Sequence, residues 1–136
     1  MHYVDPDAEN WAAFKALPRD TPIHMLNFIR LRDVAVYPAG HPNAGQGWTG
    51  ARAYQEYIDR LVPFLATLGA GMVWQGRFEC MVTGPAEPEW DKVFIMGYPD
   101  AAAFFAMITA PEYKADIVPH RTAGVLDSRL IRYAPS

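Results

Sequence analysis

The chain has 136 residues, with 12 Lys plus Arg against 15 Asp plus Glu, a net charge of −3 and 51% hydrophobic residues. That length suits a single domain, 1–136, with one core. The acidic balance and the absence of a Lys/Arg cluster exclude nucleic-acid binding by phosphate neutralisation and docking on an anionic membrane, and no apolar run approaches the roughly 20 residues that span a bilayer.

Residues 1–20 read as an N-terminal helical extension across the domain's edge. Asp5-Pro6-Asp7 supplies a capping carboxylate and a Pro suited to the first helical position; Trp11, Phe14 and Leu17 follow at a spacing of three, and Pro18 stops the helix. The start lacks the basic and apolar regions of a signal peptide, which predicts a cytoplasmic place. From Pro22 to Leu31 the pattern is a central strand: Ile23, Met25, Asn27 and Ile29 on one face, His24, Leu26, Phe28 and Arg30 on the other. Residues 32–50 have no periodicity and are rich in turn formers, a long loop insertion that Tyr37 and Trp48 can anchor. It reads as a lid or as a tolerated surface insertion.

Thr49 is placed to cap a helix whose apolar stripe is Tyr54, Tyr57, Ile58, Leu61, Leu65 and Leu68, with a kink expected at Pro63 and an end at Gly69. Met72 to Thr83 alternates like a long strand near a sheet edge, with Cys80 as a buried apolar residue on it. Val93–Tyr98 is a second central strand. Asp100 caps a helix carrying Phe104, Met107 and Ile108. A further helix opens near Pro111 and presents Tyr113, Ile117 and His120 on one stripe; Val125–Tyr133 is the last strand.

This order predicts an α+β, ferredoxin-like βαββαβ sandwich: a four-stranded antiparallel sheet with helices on one face. The two middle strands are apolar on both sides. The uncovered face would be a patch of several hundred Å2, which a second copy of the chain can bury, giving a homodimer with a barrel-like interior.

The segments Pro22-Ile23-His24-Met25-Leu26-Asn27-Phe28, Trp90-Asp91, Tyr98-Pro99, Pro111-Glu112-Tyr113 and His120 through Leu130, in that order and spacing, resemble the domain of unknown function thirteen-thirty, a branch of the dimeric α/β-barrel superfamily. Gly69-Ala70-Gly71 departs from the adjacent glycines expected there. The resemblance implies the fold and the dimer but no agreed reaction. Relatives across that superfamily include cofactor-free oxygenases, lactone isomerases and haem-degrading monooxygenases.

Three residues are candidates for chemistry. His120, near a helix C-terminus that favours its protonated form, and one turn from Asp116, is suited to moving a proton. Arg121 is suited to holding a carboxylate or enolate oxygen. Asn27, an amide among apolar neighbours, needs a partner or a ligand. Each has a structural alternative: helix capping for His120 and Arg121, a backbone partner for Asn27. Trp74, Tyr54, Trp90 and Asp91 are candidate ligand-binding residues; the aromatics equally suit the core, and Asp91 suits a turn. The four histidines have no metal-ligand spacing, and there is no Gly-rich phosphate loop, so neither metal nor cofactor is expected.

The resulting expectation is a cofactor-independent enzyme, of proton-transfer, isomerase or monooxygenase type, acting on a small organic acid or carbonyl compound. His120 would shuttle the proton, Arg121 and Asn27 would stabilise negative charge, and the 32–50 loop would cover the entrance. The alternatives are a non-catalytic dimeric small-molecule-binding or stress-related module and a haem-degrading monooxygenase-like protein built on Asn27, a Trp and His120.

Overall fold

The computed structural model describes residues 1–136. Helix α1 (Ala8–Ala16) precedes strand β1 (Ile23–Leu31), helix α2 (Gly50–Ala66), strands β2 (Gly71–Arg77) and β3 (Lys92–Tyr98), helix α3 (Ala101–Thr109), a π-helical turn (Tyr113–Ile117) that runs straight into α4 (Val118–Gly124), and strand β4 (Val125–Tyr133). The four strands form one antiparallel sheet in the order β2-β3-β1-β4. This is the ferredoxin-like fold, as expected.

Local chemistry sets the helix ends. Asp7, Thr49 and Asp100 cap α1, α2 and α3, their side-chain oxygens accepting from the backbone N–H of Asn10, Arg52 and Ala103. Gly69, at φ +72°, turns the chain out of α2 into β2, a conformation that favours glycine. Helix α2 continues through Pro63 to Ala66, its stripe held down by a core that outweighs one lost backbone hydrogen bond.

The core lies between one face of the sheet and the helices. Ile23, Met25, Ile29, Phe94, Met96 and Tyr98 pack against Tyr54, Tyr57, Leu61, Leu65, Phe104 and Met107, all buried. Trp11 and Phe14 of α1 add an aromatic cluster with Phe104 and Phe105, with centroids 5.3–5.7 Å apart. Tyr3 and Val4 run beside β4: Ser128 N donates to the Tyr3 carbonyl (2.7 Å), and Tyr3 N donates to the Asp127 carboxylate (2.9 Å). The opening segment thus crosses on the helical side of the sheet. On the other face no helix covers half-buried Leu26, Val93 and Ile95, or Trp74 and Tyr133, each 53% exposed; at one end of that face Trp90 packs on Phe28.

Two expectations change. Strand β2 ends at Arg77, not Thr83, because residues 78–91 carry Gly84, Pro85 and Pro88, which break a ladder; Cys80 is therefore exposed rather than buried. Loop 32–50 is anchored through Tyr37 and Trp48, as those aromatics suggested. Val36 N donates to the Ala123 carbonyl (2.9 Å), Ala35 N to the Trp48 carbonyl (2.8 Å), and the Arg52 guanidinium stacks 3.8 Å from the Trp48 ring. Tyr37 is buried against Ala53 and Ala123.

Candidate functional site

A cavity of about 560 Å3 opens between the sheet and the helices. Its floor is Met25, Asn27, Phe94, Met96 and Leu130; its walls are Tyr57 and Leu61 of α2, Phe104 and Met107 of α3, and Tyr113 on the π turn; Val4 to Ala8 and Trp11 lie along its mouth. A second hollow of about 830 Å3 lies under α1 and shares Val4, Asp5, Trp11 and Arg121 with it. Most of the wall is apolar, as in small-molecule sites generally.

Few polar groups reach this space. Arg121, on α4, has a side chain only 15% exposed. Its protein partners are distant: Nη2 lies 3.5 Å from Ser128 Oγ and Nη1 lies 3.9 Å from Asp5 Oδ1. A guanidinium has five N–H donors, so most of its donor capacity is unused. Asn27 Nδ2 donates to the Met25 carbonyl at 3.1 Å, which leaves its amide oxygen without a protein donor. The Tyr57 and Tyr113 hydroxyls are 3.2 Å apart, and the Tyr98 hydroxyl donates to Met107 Sδ at 3.6 Å. Burial pushes the phenols of Tyr57, Tyr98 and Tyr113 above their ordinary value, so they are neutral donors at pH 7. The positive charge of Arg121 acts the other way on Tyr57 and Tyr113. Tyr54, beside them in the core, has a buried hydroxyl without a partner.

The structure brings Arg121 and Asn27 to one cavity and sends the other candidates elsewhere. His120 turns away from it: adjacent helical residues point about 100° apart, so His120 and Arg121 face different neighbours. His120 Nδ1 is 2.8 Å from the Tyr37 hydroxyl, and the His41 ring lies 5.6 Å away. It makes no hydrogen bond to Asp116. Burial, then the nearby charge of Arg60, lowers its pKa, the reverse of the shift expected from a helix C-terminus. Asp91 Oδ2 accepts from Leu31 N at 2.7 Å, a long-range structural tie rather than the turn bond expected of it. Trp90 packs edge-on against Phe28 on the uncovered sheet face, beneath the Arg129 guanidinium. Trp74 is on that face too. Tyr54 and Asp91 border a separate shallow hollow of about 360 Å3. The 32–50 loop is tied to α4 and lines none of the main cavity; the N-terminal extension holds that position instead. No group of His, Cys, Asp and Glu is arranged to hold a metal ion.

Sequence reasoning missed Tyr113 and the mouth formed by residues 4–8. A signal existed for the first: a tyrosine in an apolar stripe brings a hydroxyl that must find a partner.

No family model matches the chain, and no curated protein matches it. Among solved structures, a protein of unknown function from Rhodopseudomonas palustris is 46% identical over 100% of this chain and 98% of its own, with a TM-score of 0.88. The chain belongs to the same family as that protein. The methylated form of the Rhodopseudomonas protein gives the same TM-score of 0.88 at 47% identity, covering 99% of this chain and 96% of that one. A dabb family protein with a ferredoxin-like fold from Mesorhizobium loti is 16% identical over 85% of this chain and 97% of its own, with a TM-score of 0.45, a likeness too weak to bear on this chain.

Proposed function

We propose that the protein binds a small, largely apolar organic acid in the cavity between sheet and helices, its carboxylate on Arg121. The observation that carries this reading is a mostly buried guanidinium, facing an apolar space, whose hydrogen-bond and ion-pair partners, Ser128 and Asp5, stand 3.5 and 3.9 Å away. A planar donor fork in a low-dielectric site is suited to one carboxylate. Asn27 offers a further polar contact on the floor.

This favours the binding module over the enzyme. Proton transfer was expected from His120, which does not share the cavity, and the phenols that do are held neutral. Haem binding has the same difficulty, since its expected ligand, His120, is packed under Tyr37.

The bare sheet face supports a homodimer. The N-terminal extension lies on the opposite side and Trp90 packs on Phe28 at one end, so Leu26, Val93, Ile95 and Trp74 are left for a partner, and a standard interface of roughly 800 Å2 per partner would bury them. The homodimer and the ascription to the domain of unknown function thirteen-thirty go together as parts of the proposal. A cytoplasmic place suits the lone exposed thiol of Cys80. Titration of a simple aryl acid such as 4-phenylbutanoate into the wild type and Arg121→Met tests the binding reading.

A further inference from the structure

Tyr57 rises from α2 and Tyr113 from the π turn, and both line the cavity. Their hydroxyl oxygens are 3.2 Å apart. Two phenols carry two protons, and the bond between them uses one. Neither hydroxyl has another hydrogen-bond partner in the protein, so one O–H is left over. Tyr57 is 6% and Tyr113 7% exposed; a donor buried that deeply is costly unless something inside the cavity accepts from it. Burial keeps both phenols protonated, so the surplus donor persists across the physiological range.

Arg121 faces the same space. The cavity therefore offers two separate polar points, a cation and a neutral donor, with Trp11, Phe94 and Phe104 supplying an aromatic wall. Resting on the acid-binding reading above, we propose that the ligands this site selects are oxo-acids with an apolar, aryl-sized body: the carboxylate sits on Arg121 and the oxo oxygen accepts the spare proton of the Tyr57–Tyr113 pair. A site built to hydrogen-bond a ligand oxygen discriminates strongly against the analogue that lacks it.

The variant that tests this is double. Removing one hydroxyl leaves the other with its own proton, still a donor. Tyr57→Phe/Tyr113→Phe removes both, and replacing both members of a buried pair by apolar groups of the same shape is nearly neutral for folding.

The probes are two matched pairs, 4-phenylbutanoate with 4-oxo-4-phenylbutanoate, and 5-phenylpentanoate with 5-oxo-5-phenylpentanoate, titrated calorimetrically into the full chain. At least one oxo-acid is expected to bind the wild type about tenfold more tightly than its parent, and the gap between the two acids, measured on the same protein, should close to within about twofold in the double variant. Parents that bind with no gain from either oxo group overturn the inference and leave the acid-binding reading standing. A gain that survives in the folded double variant also overturns it. If no acid binds the wild type, both fall. Should the double variant not fold, the comparison on the wild type decides alone: a gain supports the inference and its absence overturns it.

Discussion

Asp5 Oδ1 lies 3.9 Å from Arg121 Nη1 at the mouth of the cavity, so a carboxylate of the chain already stands beside the cation proposed to receive a ligand. The Asp5 side chain is 77% exposed, and water screens what it contributes to the fold. Toward an incoming acid it is a like charge. Asp5→Asn is expected to bind 4-phenylbutanoate about threefold more tightly, a gain that shrinks in high salt, with an unchanged melting temperature. Titrations at low and high NaCl check this. Weaker binding by the variant would mean that Asp5 orients Arg121 rather than competing for it.

Helix α4 presents Arg121 because it lies close against α2. A Cβ on Gly124 would stand 2.7 Å from the Gly50 carbonyl oxygen and 3.1 Å from Tyr54 N, both backbone atoms that cannot rotate aside. Gly124→Ala is therefore expected to destabilise the fold by about 1–3 kcal/mol, whereas Thr122→Ala, at an exposed position of the same helix, should change little. Urea denaturation of the two variants separates these outcomes.

His120 ties loop 32–50 to α4 through Tyr37, and burial lowers its pKa in the folded chain. The unfolded chain then binds the extra proton more readily than the native one, so stability rises with pH across the window between the two values. The contribution is complete above the ordinary histidine value of about 6.5 and is lost as pH falls through the lowered native value. The groups packed around the ring are Tyr37 and His41, with Arg60, Glu56 and Asp116 acting through charge. Unfolding free energies measured between pH 7.5 and 5 should slope less steeply in His120→Gln than in the wild type. Equal slopes would mean that His120 does not carry the effect.

Much of the fold was legible from residue order because the signals were local and consistent. Asp100 and Thr49 cap the helices they precede, and both central strands have the doubly apolar pattern that their place in the sheet requires. The site was harder to read because it depends on facing. Trp74 shares a parity with Met72 in the sequence, but a bulge between them shifts the register, and Trp74 emerges on the uncovered face. His120 and Arg121 are neighbours in the chain and, on a helix, point apart. The role of residues 4–8 was invisible for a different reason: Tyr3 is held by Asp127 and Ser128, some 124 and 125 positions away, and nothing near Tyr3 announces that pairing.

The uncovered sheet face makes its own prediction. Ile95 is paired with Leu26 and Trp74 across the two neighbouring strands, in the middle of that face. If a second copy covers it, light scattering should give twice the chain mass for the wild type, and Ile95→Arg should give the single-chain mass with unchanged circular dichroism, because a charge in the centre of such an interface has no partner. A wild type of single-chain mass at micromolar concentration would remove the dimer from the account.

Calorimetric titration of 4-phenylbutanoate into the wild type, Arg121→Lys and Arg121→Met bears most directly on the cavity as an acid-binding site. One acid should bind per chain, with affinity falling about tenfold to a hundredfold in Arg121→Met and less in Arg121→Lys, which keeps the charge but loses the planar fork. Equal affinity in the wild type and Arg121→Met, or no heat of binding in the wild type with this acid and its oxo and longer-chain analogues, would contradict the account.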